Sequence, residues 1–128
     1  MAKKVLSVVE SAYRATIEEQ DDTILWLAHM LKNAGMDETV LLRANAVNYL
    51  VRGQDASGLR IGGDAIAHAP RIDEDVASLL HAGVPVYYVS EDAEERGIPF
   101  EHVIGGAKPL TRREIPALFD GFDVVMHW

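Results

Sequence analysis

The spacing of apolar residues divides the chain into alternating strand-like and helix-like segments. Val5 to Val9 is a short β-branched run, which predicts a strand buried at the centre of a sheet. Further apolar runs predict a second strand at Thr39 to Leu42, a third at Val84 to Val89, a short fourth at His102 to Ile104 and a last one at Phe122 to Trp128.

Helical spacing fills the intervals between these strands. It predicts a long amphipathic helix closed by Gly35, a short helix that stops near Gly53 and a third that ends at Gly83. The apolar positions are Ile17, Ile24, Leu27, Ala28, Leu31 and Ala34 in the first helix, Ala44, Val47, Leu50 and Val51 in the second, and Ile72, Val76, Leu79 and Leu80 in the third. We also expect Ser90 to cap a short helix that ends at Gly97.

Two stretches are less regular. Thr111 and Glu114 form a capping-box pattern, but Pro116 would remove a hydrogen bond inside the helix that follows, so that helix starts later or is kinked. Residues 54–64 have loop composition, and such a segment is either functional and mobile, as a lid would be, or a connection that crosses an oligomer surface.

Strands that alternate with helices predict a mostly parallel sheet covered on both faces. About five strands within 128 residues fit one domain, residues 1–128, with a flavodoxin-like three-layer α/β sandwich fold. A hydrophobic fraction of 48% supports a core that needs no disulfide or structural metal.

Composition narrows the range of partners. The net charge of −8 makes nucleic-acid binding a poor expectation, because an acidic surface repels phosphates. No stretch has the length of a membrane span, and Glu10 ends the first apolar run too early for a signal peptide, so we expect a cytoplasmic protein with no membrane partner.

Several kinds of chemistry have no signal in the sequence. The chain has no cysteine, which excludes disulfides, zinc–cysteine sites and a cysteine nucleophile. No glycine follows the first strand, which argues against phosphate and nucleotide binding there, and neither a Gly-x-Ser-x-Gly elbow nor a His-Glu-x-x-His helix occurs. The five histidines are scattered without ligand spacing, so we predict no metal and no cofactor.

The position of a site can still be predicted, because ligands of open parallel sheets bind beyond the carboxyl ends of the strands. Polar residues follow each predicted strand: Ser11, Tyr13 and Arg14 after the first, Asn45 and Asn48 after the second, Ser90 and Asp92 after the third, and Gly105, Gly106 and Lys108 after the fourth. Arg14, Arg43 and Lys108 offer positive charge to an anion. For any single one of these residues, a cap, a turn or a surface charge is the more ordinary role.

A family resemblance appears in the second half of the chain. The stretch GVPVYYVSEDAEERGI, followed by FEHVIGGAKPLTRREIPALFDGFDVVMHW, resembles the DsrE/DsrF-like family of sulfur-relay proteins, as does the segment NAVNYLVRG after the second strand. The resemblance implies a three-layer α/β sandwich that assembles as trimers or hexamers. It also implies a cysteine, in the sulfur-transferring members, on the loop that here reads Val89-Ser90-Glu91-Asp92.

The missing cysteine separates this chain from the family's chemistry. A persulfide carrier needs a thiolate, and Ser90 cannot hold one. We therefore predict a DsrE-like protein without sulfurtransferase activity, which binds a small ligand or a sulfur-pathway partner or serves as a structural subunit of a homo-oligomer. The apolar end at Trp128 also favours assembly. The alternative is an enzyme that uses non-thiol groups, with candidates Ser11, Tyr13, Arg14, His68, Ser90 and Asp92.

Overall fold

The sheet is built from five parallel strands in the order β6-β5-β2-β1-β7. The computed structural model describes residues 3–13, 22–66 and 68–128. The strands are β1 (Lys4–Val9), β2 (Asp37–Leu42), β3 (Arg60–Ile61), β4 (Asp64–Ala65), β5 (Val86–Val89), β6 (Lys108–Leu110) and β7 (Val124–His127). β3 and β4 form a separate antiparallel hairpin. The predicted three-layer α/β sandwich with a mostly parallel five-stranded sheet is confirmed. Its strand order differs from that of flavodoxin.

The helices lie on both faces of this sheet. They are α1 (Thr23–Asn33), α2 (Ile72–His81), α3 (Ser90–Glu95) and α4 (Ile115–Asp120), with 3₁₀ segments at Ala44–Leu50, Phe100–His102 and Arg112–Glu114. The larger core packs one face of the sheet against α1, α2 and Ala44–Leu50, and a smaller core lies between the other face and Ile115 of α4. No helix in the described ranges has the length and apolarity needed to cross a bilayer.

The central strands are buried on both faces, as their apolar runs predict. Val8 pairs in register with Leu41, and both side chains are almost fully buried in the smaller core. Val9 and Leu42 point to the larger core on the opposite face. Because side chains alternate across a strand, two covered faces require the near-continuous apolar sequence seen in β1 and β2.

The first described helix begins where a side chain can cap it. Asp22 accepts hydrogen bonds from the backbone N–H groups of Ile24 and Leu25, both at 2.9 Å, and so satisfies donors that the first turn leaves free. Gly35 follows the helix with φ of +94°, the left-handed conformation that favours glycine after a helix end. The predicted helical positions before Asp22, including Ile17, lie outside the described residues.

The predicted fourth strand is wrong. Phe100–His102 is a 3₁₀ turn, and Val103 makes only an isolated antiparallel bridge to Val51. Val103 and Ile104 are apolar because they pack into the larger core, and the backbone N–H of Ile104 donates to the carbonyl of Leu50 at 2.9 Å. The fourth strand of the sheet is instead β6, whose Lys-Pro-Leu sequence fits an edge strand, where a missing N–H is tolerated.

The structure also tests three smaller predictions. Ser90 does not cap α3: it is the first helical residue, and Val89 holds the capping position without a side-chain hydrogen bond. The segment 54–64 is not wholly irregular, because it contains β3 and the start of β4, with Arg60 bonded to the carbonyl of Gly63 at 2.8 Å. The later helix start is confirmed, since α4 begins at Ile115 after the Thr111–Glu114 capping box.

Candidate functional site at the carboxyl edge of the sheet

The carboxyl ends of β1, β2, β5 and β6 meet along one edge of the sheet, because all four strands are parallel. The residues that follow them are polar, and we call this region the carboxyl edge. It consists of Glu10 to Tyr13 after β1, Arg43 to Asn45 after β2, Ser90 to Arg96 after β5, and Thr111 and Arg112 after β6.

Asp92 is the centre of this edge. Its side chain is only 9% exposed, and Oδ2 accepts the backbone N–H of Ala44 at 2.7 Å. Oδ1 accepts a hydrogen bond from the guanidinium of Arg112, which also reaches Glu95 at 2.8 Å. Ala44 has φ of +50°, a conformation that L-residues other than Asn and Asp rarely adopt, so Asp92 holds a strained turn at the end of β2.

The electrostatics of the Asp92 cluster favour its charged form. Burial alone would raise the pKa of Asp92, but the hydrogen bond from Ala44 and the charge of Arg112 outweigh it, and the pKa of this carboxyl lies below its usual range. The carboxylates of Asp92 and Glu95 in turn hold the pKa of Arg112 above its usual value. Asp92 is therefore an ionised, fully partnered anchor and a poor general acid or base near neutral pH.

Further bonds close the edge around this cluster. Glu91 accepts the backbone N–H of Arg112 at 3.0 Å. Arg96 donates to the side-chain oxygen of Asn45 at 3.0 Å and to the carbonyl of Asp92 at 3.1 Å. Asn48 donates in turn to the carbonyl of Asn45 at 2.9 Å. The loops after β2, β5 and β6 are thus tied to one another by side chains of α3 and its neighbours.

A second polar cluster lies beside the end of β1. The Tyr49 hydroxyl is fully buried, donates to Asp22 and accepts the backbone N–H of Tyr13 at 2.6 Å. Burial, followed by the hydrogen bond to Asp22, raises the pKa of Tyr49 far above its usual value. The Tyr13 hydroxyl donates to Gln54 at 2.7 Å, and the rings of Tyr13 and Tyr49 meet edge to face at 5.1 Å between centroids. This cluster fixes a turn at Tyr13, where φ is +58°.

A third group lies where β1 and β7 adjoin. Glu10 contacts Arg43 at 3.1 Å and His127 at 2.8 Å. All three side chains are at least one-third exposed, so this contact contributes little to stability.

The remaining predicted site residues do not join these clusters. Ser11 and His68 are exposed, and Arg14 lies outside the described residues. Ser90 is half-buried, and its hydroxyl donates to the carbonyl of Leu110 at 3.2 Å, which ties the start of α3 to β6. The same hydroxyl lies 3.5 Å from a carboxylate oxygen of Glu91, at the outer limit of a hydrogen bond, and no histidine in the described ranges contacts it.

Gly105, Gly106 and Lys108 are wrongly placed by the sequence prediction. They precede β6 or begin it, whereas the residues beyond its carboxyl end are Thr111 and Arg112. Lys108 lies 5.7 Å from the ring centroid of Tyr87, in a cation–π contact. Because the fourth strand was predicted at the wrong place, Arg112 was not recognised as a candidate, although it follows the carboxyl end of β6.

An apolar groove borders the carboxyl edge on the other side of α3. Its cavity volume is about 300 Å³, and its lining consists of Tyr88, Ser90, Ala93, Glu94, Ile98, Pro99, Phe100, Val103 and Pro109. We call it the Phe100 groove, because Phe100 is one of its lining residues and is 74% exposed. A smaller cleft of about 150 Å³ lies between α1 and α2, lined by Asp22, Trp26, His29 and Asp75 among others.

The arrangement offers contacts for binding more than groups for catalysis. The described ranges contain no group of three histidine, aspartate or glutamate side chains placed to hold a metal ion. Most polar groups at the carboxyl edge bond to one another, and the hydroxyls of Ser90 and Thr111 are each held by a neighbouring carboxylate or carbonyl. The Phe100 groove, which the exposed Glu94 lines, is an accessible cavity beside this edge.

The fold defines a class of α/β sandwich proteins, and solved structures show the same architecture. The ychN protein from E. coli is similar to this chain with a TM-score of 0.72 and 22% identity over 100% of both chains. BT1422 from Bacteroides thetaiotaomicron gives a TM-score of 0.69 and 10% identity, over 98% of this chain and 95% of that one. MTH1491 from Methanobacterium thermoautotrophicum gives 0.58 and 16%, over 100% of both.

These likenesses show the fold alone, because every identity is below one quarter. BT1422 and MTH1491 are both described as proteins of unknown function. No protein-family model and no curated protein matches the sequence.

Proposed function

We propose that this chain is a DsrE-like binding subunit, related in fold and sequence pattern to sulfur-relay proteins but without a catalytic step of its own. The observation that carries the proposal is the state of Ser90, Glu91 and Asp92, which form the first turn of α3 directly after β5. Where sulfur-transferring relatives would carry their cysteine, Ser90 is bonded to the carbonyl of Leu110, and Glu91 and Asp92 both accept hydrogen bonds from Arg112. Each of these three side chains therefore has a structural partner.

The binding role is supported by the contrast between this helical turn and its surroundings. The turn lies next to the open Phe100 groove, which Ser90 helps to line, so bonded side chains stand beside an accessible surface. A rigid wall is suited to positioning a partner or a ligand. The fold class favours ligands at the carboxyl ends of strands, which is where the groove lies.

Sulfur-transfer measurements test the absence of catalysis. The purified chain is incubated with a polysulfide donor and a thiol acceptor, and we expect no transfer above the buffer rate. The matched control is Ser90→Cys, which places a thiol in the first turn of α3. We expect it to take up sulfur slowly, because Glu91 and Asp92 disfavour the thiolate. Transfer by the wild-type chain would contradict the proposal.

Binding is tested by native mass spectrometry of the tagged chain purified from its own cells. We expect a retained protein partner or small molecule, whereas a chain that always elutes alone would contradict a binding role. Light scattering of the same sample tests homo-oligomer formation. A trimer or hexamer is expected from the family resemblance, and a monomer at micromolar concentration would exclude it.

A further inference from the structure

The Phe100 groove is an apolar surface with an acidic border. Tyr88, Ala93 and Val103 form its floor and are each at most 6% exposed. Ile98, Pro99 and Pro109 form its walls. Phe100 extends this surface outward beyond the cavity. An aromatic side chain left 74% exposed beside an apolar cavity is typical of a surface that another molecule covers.

Two carboxylates lie at the groove or next to it in the chain. Glu94 lines the groove from α3, and Glu101 is not a lining residue but follows the lining residue Phe100 in the 3₁₀ turn. Both are exposed, and neither forms an ion pair in the described part of the chain. Other acidic residues of α3 differ, since Asp92 and Glu95 are both paired with Arg112.

The nearby arginines are held by hydrogen bonds to uncharged acceptors. Arg52 donates to the carbonyls of Glu101 and Val103 and keeps its positive charge, and Arg96 donates to Asn45 and to the carbonyl of Asp92 and lies 4.0 Å from Glu95. The chain also carries a net charge of −8, which adds to the negative potential around the groove. An occupant complementary to the groove and its nearby carboxylates therefore combines one apolar side chain with positive charge next to it.

We propose that the Phe100 groove docks a segment of a different protein that carries a large apolar side chain flanked by lysine or arginine. The apolar side chain occupies the cavity against Phe100, and the basic residues pair with Glu94 and Glu101. The volume of about 300 Å³ suits one such side chain, while the exposed ring of Phe100 provides contact area outside the cavity. This inference rests on the proposed binding function and specifies the partner's chemistry.

Complementary charge gives this docking its specificity. Glu94 and Glu101 would attract a basic segment and repel an acidic one, including the acidic runs of a second copy of this chain. The rigid wall formed by Asp92 and Arg112 keeps α3 in place, so that the groove is formed before the partner arrives.

Fluorescence anisotropy with a synthetic peptide tests the proposal. The peptide has one central leucine or phenylalanine with lysines on both sides, and the control peptide has glutamates in place of the lysines. We expect the lysine peptide to bind measurably more tightly. Phe100→Ser should weaken its binding by about tenfold or more, whereas Trp26→Ser, which removes an exposed aromatic ring on α1, should leave it unchanged.

Charge variants separate local pairing from general attraction. Glu94→Lys and Asp120→Lys change the net charge equally, but Asp120 lies at the end of α4 on the other face of the sheet. Glu94→Lys should weaken peptide binding about two- to fivefold more than Asp120→Lys does. Equal effects of the two variants, or an unchanged affinity in Phe100→Ser, would overturn the proposal.

Sedimentation of the chain alone tests the competing occupant. If Phe100→Ser dissociates a homo-oligomer that the wild type forms, the groove is an interface between copies and the proposal fails. Failure of the lysine peptide to bind would overturn the docking proposal but not the binding role of the whole chain, which native mass spectrometry tests separately. Sulfur transfer by the wild type would overturn the proposed absence of catalysis, whatever the peptide does.

Discussion

The two sides of helix α3 differ in how their groups are satisfied. On one side, Asp92 and Glu95 are bonded to Arg112, and Asp92 also holds the turn at Ala44. On the other side, Ala93 and Glu94 border an open apolar groove in which Glu94 has no cation partner within the described residues. Adjacent residues of this short helix therefore differ in role. Asp92 and Glu95 hold the neighbouring loops in place, whereas Ala93 and Glu94 remain accessible at the groove.

This contrast shows why an ionised, buried cluster is not by itself an active site. Asp92 has the lowered pKa and the arginine partner that often mark catalytic groups. Each of its partners, however, belongs to a loop that needs anchoring. The accessible surface lies one residue away, at Ala93 and Glu94.

The largest expected effect comes from removing the anchor. Asp92→Ala leaves the N–H of Ala44 and the guanidinium of Arg112 without their acceptor, and the strained turn without support. We expect the free energy of unfolding to fall by about 2–3 kcal/mol, measured by urea denaturation. The control is Arg112→Met, which should cost clearly less because Arg112 is 47% exposed. Equal losses in the two variants would show that Asp92 does not anchor the turn.

Removing one hydroxyl tests the cluster beside β1. Tyr49→Phe deletes the group that joins Asp22 to the N–H of Tyr13, and the ring keeps its place in the core. We expect a loss of about 1–3 kcal/mol in urea denaturation, because a buried donor and acceptor both lose their partner. Tyr13→Phe is the control, since its hydroxyl is exposed and bonded only to Gln54, and should have a smaller effect.

Two buried carboxylates should respond to pH in opposite ways. Glu38 is 1% exposed, accepts a hydrogen bond from Ser7 at 2.6 Å and has a second oxygen without a partner. Burial raises the pKa of Glu38, despite the opposing effect of Ser7. The stability that its neutral form preserves is therefore present below the unfolded value of about 4.3 and is lost as pH rises through the raised pKa.

For Asp92 the sign is reversed. Its lowered pKa means that its contribution is present above the unfolded value of about 3.9 and is lost as pH falls through the folded pKa. Urea denaturation from about pH 3 to about pH 8 should show a smaller loss of stability at high pH in Glu38→Gln, and a smaller loss at low pH in Asp92→Asn. An unchanged pH profile in either variant would contradict the assignment of that carboxyl.

The smallest effect on stability is expected from a substitution on the side of α3 that faces the groove. Phe100→Ser removes an exposed ring, so we expect a change within about 0.5 kcal/mol in urea denaturation. Ala93→Ser at the groove floor is the control and should cost more, because Ala93 is 5% exposed and packs in the larger core. A large loss in Phe100→Ser would mean that the ring supports the fold.

The sequence predicted the parts of the fold that depend on local pattern. The β-branched run Val5 to Val9 and the helix that ends before Gly83 follow from periodicity and from glycine at helix ends. β6 escaped prediction because Lys-Pro-Leu has no strand signature and depends on its neighbour β5 for hydrogen bonds. The apolar residues Val103 and Ile104 resembled a strand but are held by core packing.

The site was predictable only in position. We expected polar residues to gather at the carboxyl ends of the strands, and this expectation correctly placed Asp92 and Asn45 at the carboxyl edge of the sheet. Their partners Arg112 and Arg96 come from other loops, and no sequence pattern links residues that meet only after folding. The Phe100 groove likewise combines β5, α3, the 3₁₀ turn and β6, so it has no continuous sequence signal.

The most direct test of the contrast between the two sides of α3 is a map of amide chemical shifts during titration with the lysine-flanked apolar peptide. We predict that the changes concentrate at the amides of Tyr88, Ala93, Ile98 and Val103 around the groove, while those of Ala44 and Arg112 in the closed cluster stay nearly constant. The largest changes at Ala44 and Arg112, with the groove amides unmoved, would contradict the account.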